Sequence, residues 1–189
     1  MNAIDADAKL LASASHAAYD TAEKISEWAE QRGFKAEVFN EPETDTQGFV
    51  AHNEQKVILA FRGTAGANDW LLDANVRRNG HFHGGFAKAI EKSWEPHISP
   101  LLKRAGAVPI HVTGHSLGGA LALLAARRIG ASVAKVVTFG QPRAVDEVAA
   151  AECQQAFGAR YLRVVHDKDI VPRVPTFTSG YRHCGAAAR

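Results

Sequence analysis

Residues 110–120 read IHVTGHSLGGA, and they join a short apolar run rich in β-branched residues to a helical pattern over residues 120–129. This change predicts a strand that turns into a helix within a few residues, with Ser116 at the turn. So tight a turn needs an unusual backbone conformation, which the small neighbours Gly114 and Gly118 allow. It would expose the Ser116 hydroxyl beside the positive end of the helix. We interpret the stretch as a nucleophile elbow; a Gly-rich turn whose serine caps a helix is the alternative.

The remaining pattern predicts an α/β fold with one mostly parallel central sheet flanked by helices. Ala-rich residues 4–33 have helical spacing and predict two helices that break near residues 19–21. Short apolar runs at 35–39, 48–52 and 56–61 predict an antiparallel meander. From residue 108 onward strands and helices alternate, which is typical of parallel strands joined by crossovers. We expect a single domain over residues 1–189.

Composition excludes several classes of protein. The chain has 189 residues, 46% of them hydrophobic, which suffices for one buried core. A net charge of +2 gives no electrostatic reason to expect a nucleic-acid partner. No apolar run is long enough to span a bilayer, and Cys153 and Cys184 are expected to be free thiols. The first residues, MNAIDADAK, lack the pattern of a secretory signal, so a cytoplasmic location is favoured over secretion.

A serine nucleophile needs a base, and the base needs a third group that orients it. In a fold of this kind these partners follow the serine as acid and then histidine, on loops at the carboxyl ends of strands. Asp167 and Asp169 both follow the predicted strand at residues 161–166, and the residue types alone leave the choice between them open. Of the nine histidines, only His183 comes later in the chain. We therefore expect Ser116, one of these two aspartates and His183 to form a catalytic triad.

A second oxyanion donor is expected where an earlier strand ends in FRGT (residues 61–64). Thr64 offers both a backbone N–H and a hydroxyl there, although a plain turn is the alternative. The apolar residues Trp70, Leu71 and Leu72 follow, and we expect them to line a substrate pocket, either in a lid or in a fixed helix.

Taken together, several motifs resemble the class 3 lipase family, which includes fungal triacylglycerol lipases and related feruloyl esterases. The motifs are FRGT at 61–64, DW at 69–70, HGGF at 83–86, GHSLGGA at 114–120, VTFGQPR at 137–143, DIVPRVP at 169–175 and YRHCG at 181–185. The resemblance implies an α/β-hydrolase fold and a carboxylic ester hydrolase that cleaves acyl esters through an acyl-enzyme. It also implies that Ser116 is the nucleophile, Asp169 the acid and His183 the base.

The same resemblance implies that Thr64 and the backbone N–H of Leu117 form the oxyanion hole, while His115 and Arg143 are structural. The chemistry needs no metal and no organic cofactor. The partner is a lipid or other ester, with transient contact to a lipid surface. Because the parts that would cover the pocket are short, we expect short-to-medium acyl esters and a homo-oligomer that closes the groove. The alternatives are a phospholipase, a feruloyl-type esterase and a non-catalytic binding module.

Overall fold

The computed structural model describes residues 5–64 and 78–188 of the chain. The helices in these ranges are α1 (Ala6–Ala17), α2 (Ala22–Glu30), α3 (Gly84–Ser93), α4 (Ser99–Ala105), α5 (Leu117–Ile129) and α6 (Glu147–Phe157). The strands are β1 (Lys35–Glu41), β2 (Thr46–His52), β3 (Val57–Phe61), β4 (Arg78–Asn79), β5 (Phe82–His83), β6 (Ile110–His115), β7 (Val133–Phe139), β8 (Tyr161–Val164) and β9 (Ala186–Ala188).

The central sheet has the strand order β1-β2-β3-β6-β7-β8-β9. Strands β1 to β3 pair antiparallel, as the predicted meander requires. Strands β3, β6, β7, β8 and β9 all run parallel. The apolar sequence VILAF of β3 is buried at every position, as a strand covered on both faces demands. The described residues therefore form the predicted mostly parallel sheet flanked by helices.

The hydrophobic core lies on both faces of this sheet, because successive side chains of a strand point to opposite faces. In β3, Val57, Leu59 and Phe61 pack with α3, α5 and α6. Ile58 and Ala60 pack on the other face with α1 and α2. Cys153 and Cys184 are buried free thiols in the first of these clusters. In the part of the chain that the structure describes, none of the helices has the length and apolar character needed to cross a membrane.

Because Pro96 and Pro100 lie in the helical pattern of residues 86–104, the sequence predicts a helix that breaks near Glu95. The structure agrees: a π-helical turn, Trp94–Ile98, contains Pro96 and separates α3 from α4. One local feature differs from the sequence-based expectation. Strand β9 was not expected, because three consecutive alanines carry no strand signal. It forms because its backbone pairs with that of β8, where Leu162 is opposite Ala186. This strand decides where His183 lies.

Candidate active site

Ser116 occupies the turn between β6 and α5, as the motif predicts. Its backbone has φ 53° and ψ −128°, a conformation that residues with a side chain rarely adopt. A methyl group added at Gly114 would lie 2.2 Å from the carbonyl oxygen of Gly118, so the strand and the helix approach too closely for any larger residue there. The Ser116 N–H donates to the Phe139 carbonyl at 2.8 Å, which ties the turn to the end of β7. The elbow geometry is therefore present.

The end of β3 packs directly against this turn. A methyl group added at Gly118 would lie 2.4 Å from the Phe61 carbonyl oxygen, and one added at Gly63 would lie 3.3 Å from the Ser116 Cβ atom. Thr64 follows Gly63 and Leu117 is the first residue of α5, where a helix has N–H groups without an intrahelical partner. The structure thus brings the chain segments that carry Thr64 and Leu117 together. Trp70, Leu71 and Leu72 lie outside the described residues.

Asp169 lies in the loop that follows β8, close to the elbow. One carboxylate oxygen, Oδ1, accepts the Val171 N–H at 2.9 Å. The other oxygen, Oδ2, would lie 2.7 Å from a methyl group added at Gly140, and the His115 Nε2 atom would lie 3.6 Å from the same methyl group. The carboxylate and the His115 ring are therefore near neighbours at the carboxyl end of the sheet.

Tyr19 and His115 form a contact that the sequence analysis missed. The Tyr19 hydroxyl is 2.9 Å from the His115 Nδ1 atom. It also lies against Gly63, the residue before Thr64. Burial lowers the pKa of His115, while the negative charge of Asp169 raises it. The only sequence signal for Tyr19 was its position at the break between the first two helices, which says nothing about a contact with a residue so distant in the chain.

Among the described residues, no hydrogen bond joins the His183 side chain to Ser116 or Asp169. Its Nε2 atom is hydrogen-bonded to the Pro172 carbonyl oxygen at 2.7 Å. Its Nδ1 atom is buried and has no hydrogen-bond partner among the described residues. Burial, together with the positive charges of Arg163 and Arg143, lowers the pKa of His183 to about 4. The role of His183 as the base stays a prediction, and the contacts of its ring do not support that role.

The topology explains why the ring lies elsewhere. His115, Phe139, Val164 and Ala188 occupy one row across β6, β7, β8 and β9. Ser116 and Asp169 follow strands that end at this row. His183, in contrast, lies at the other end of the same connection, shortly before β9, which runs parallel to β8. The expectation that His183 acts beside Ser116 from a loop at the carboxyl end of a strand stays a prediction.

A mostly parallel sheet with a serine on a strained turn between a strand and a helix defines an α/β-hydrolase type of protein. Comparison with known families is specific: the model of the family described as Lipase (class 3) matches residues 58–179. The chain belongs to the class 3 lipase family.

Two relatives illustrate the similarity. The chain is 36% identical to the Secreted mono- and diacylglycerol lipase A of Penicillium cyclopium over 155 residues, which cover 74% of this chain and 50% of that protein. It is 31% identical to a lipase of Rhizomucor miehei over 160 residues, which cover 75% of this chain and 44% of that protein. The chain thus spans about half the length of the relatives that it matches.

A solved structure, lipase II from Rhizopus niveus, superposes with a TM-score of 0.78 at 26% identity, and the match covers 95% of this chain and 77% of that one. The predicted α/β-hydrolase fold is confirmed. The expected cytoplasmic location is wrong, because the relative from Penicillium cyclopium is described as secreted. The comparisons give no support to the expected homo-oligomer. Within the described ranges, no group of three His, Cys, Asp or Glu side chains is arranged to hold a metal ion.

Proposed function

We propose that this chain carries the site of a lipase-type carboxylic ester hydrolase and that Ser116 is its nucleophile. The observation that carries the proposal is the backbone of Ser116, which has φ 53° at the start of a helix. Strain of this kind costs free energy and persists at functional sites because it presents a side chain in a required direction. Ser116 is buried, with 5% of its surface exposed.

The proposed reaction is acyl transfer in two steps. The Ser116 Oγ atom attacks the ester carbonyl carbon while its proton passes to a base, and the carbonyl oxygen becomes an oxyanion. The N–H of Leu117 and a donor from Thr64 stabilise that oxyanion. Collapse of the intermediate breaks the ester bond, and the alcohol leaves with the proton. Water then attacks the acyl-enzyme by the same route and regenerates the serine.

Asp169 is proposed as the acid of the site. Its loop lies beside the elbow, and one of its oxygens is fixed by the Val171 N–H. A carboxylate in this position can orient an imidazole and stabilise the imidazolium that forms during acyl transfer. Among the described residues no imidazole is hydrogen-bonded to Ser116, and the ring of His183 is held by the Pro172 carbonyl.

The substrate class proposed is an ester with an apolar acyl chain and a glycerol or similar alcohol. Two features support it: the names of the relatives, one of which is a mono- and diacylglycerol lipase, and Ile170, which is 60% exposed directly after the acid. Short-to-medium acyl chains remain our prediction. Phospholipase and feruloyl esterase activities are alternative outcomes of the same test, since they share this chemistry.

The test is labelling of Ser116 with a fluorophosphonate probe, together with hydrolysis of p-nitrophenyl esters of increasing acyl length. We expect wild type to be labelled and active, and Ser116→Ala to lose labelling and at least about 10⁴-fold in kcat/KM. Ser132→Ala, at an exposed serine in the turn before β7, is the matched control. Wild type that neither reacts with the probe nor hydrolyses any ester would favour the non-catalytic binding module.

A further inference from the structure

Two side chains, those of His183 and Arg143, hold the loop that carries Asp169. Directly after the acid, Val171–Arg173 forms a 3-10 turn. The His183 ring binds the Pro172 carbonyl of this turn at 2.7 Å. The Arg143 guanidinium, from the loop after β7, donates to the carbonyls of Arg173 and of Pro175, the latter at 2.7 Å. Three carbonyl groups of the loop, those of Pro172, Arg173 and Pro175, are therefore held by side chains from outside it.

This turn also holds the acid itself. The Val171 N–H donates to the Asp169 Oδ1 atom at 2.9 Å, and the next carbonyl along the chain is the one that His183 binds. Pro172 is buried, so its carbonyl cannot exchange this donor for bulk water without opening the loop. A displacement of the Pro172 peptide would move the amide that orients the carboxylate. The position of the acid thus depends on the His183 ring.

The protonation of the ring is determined by the same contact. A carbonyl oxygen only accepts, so His183 must carry its proton on Nε2 and donate it to Pro172. A triad base needs the opposite arrangement, with one nitrogen facing the serine and an N–H facing the acid. The positive charges of Arg163 and Arg143 both oppose protonation of the ring and lower its pKa. The ring is consequently a neutral donor in this environment.

We propose that His183 is a positioning residue, which fixes the loop of Asp169 through the Pro172 carbonyl, and that it is not the proton acceptor for Ser116. The proposal rests on the proposed function, because it assigns Asp169 to the site of the ester hydrolase. It accounts for a histidine that no hydrogen bond among the described residues joins to either residue of the predicted triad. Arg143 shares the task, since its guanidinium binds the carbonyls of Arg173 and Pro175.

The decisive comparison is between His183→Gln and His183→Ala. A glutamine amide can donate to Pro172 from about the position of Nε2, but it cannot accept a proton as a base. For a positioning residue we expect Gln to keep kcat/KM within about tenfold of wild type and Ala to lose much more, chiefly in kcat. Equal losses of about 10⁴-fold or more in both variants would overturn the proposal. His166→Gln, at an exposed histidine of the same loop, is the control.

A second measurement does not depend on activity. In ¹⁵N NMR of the histidine rings, we expect His183 to remain neutral down to about pH 5 with its proton on Nε2. A ring that titrates near 6.5, or that carries its proton on Nδ1, would contradict the proposal. If wild type neither hydrolyses esters nor reacts with the probe, the proposed function fails. The NMR result would still show whether the His183 ring is neutral and carries its proton on Nε2, as the bond to Pro172 requires.

Discussion

The strain at the elbow leads to a prediction about stability that runs opposite to activity. Ser116 has φ 53° and ψ −128°, close to the first central position of a type II′ turn, which glycine strongly favours. A residue with a side chain pays about 1–2 kcal/mol to adopt a left-handed φ, and Ser116→Gly removes that cost. The gain is offset in part by about 0.4–1 kcal/mol, since glycine loses more backbone freedom on folding. We expect a net increase of about 1 kcal/mol in the free energy of unfolding.

Ser116→Ala is the matched control, because it also removes the hydroxyl but keeps the side chain at positive φ. We expect the glycine variant to unfold about 2–4 °C higher than the alanine variant, with neither variant labelled by the fluorophosphonate probe. Urea unfolding followed by circular dichroism gives the free energies. If the glycine variant is no more stable than the alanine variant, the backbone of Ser116 is not strained and its conformation does not support a nucleophile elbow.

Three further predictions concern the surroundings of the elbow. Gly118→Ala should lower the free energy of unfolding in urea by about 1–3 kcal/mol, since the added methyl would meet the Phe61 carbonyl at 2.4 Å; wild-type stability would contradict this packing. Thr64→Ala should lower kcat by about 10²–10³-fold and Thr64→Ser much less, if the hydroxyl donates to the oxyanion; equal kcat values for both would leave only the backbone N–H. Burial lowers the pKa of both His83 and His183 to about 4, so the unfolded chain binds more protons below pH 6.5. Unfolding free energy should therefore fall from pH 6.5 toward pH 4, by up to about 1.4 kcal/mol per pH unit for each ring, and His183→Gln should flatten the slope.

Much of the fold could be predicted because its signals are local. The buried run of β3 and the strand of β7 are continuous apolar segments, and the elbow combines a strand, two glycines and a helix in neighbouring residues. These patterns depend on backbone conformation and burial within a few residues. The short strand β9 could not be predicted in this way, because its alanines have no preference for a strand and only pairing with β8 creates it.

The residues of the site divide in the same way into those that sequence motifs could locate and those that they could not. Ser116 and the loop of Asp169 could be located from motifs, since each follows the end of a parallel strand and such ends meet at one edge. The place of His183 could not be derived from chain order. Order says which residue comes later, but it does not say toward which edge of the sheet the chain is running. The contact between Tyr19 and His115 could not be predicted from the sequence either, because it joins residues that are far apart in the chain.

The amino-acid sequence by itself determined the alternation of strands and helices, the strained turn at Ser116 and the family to which the chain belongs, because each is written in short-range spacing and composition. Only the tertiary structure decided which imidazole lies beside Asp169 and which carbonyl the His183 ring binds. Those contacts depend on the direction in which the chain crosses between β8 and β9. A crossover brings residues into contact whose separation along the chain does not predict that contact.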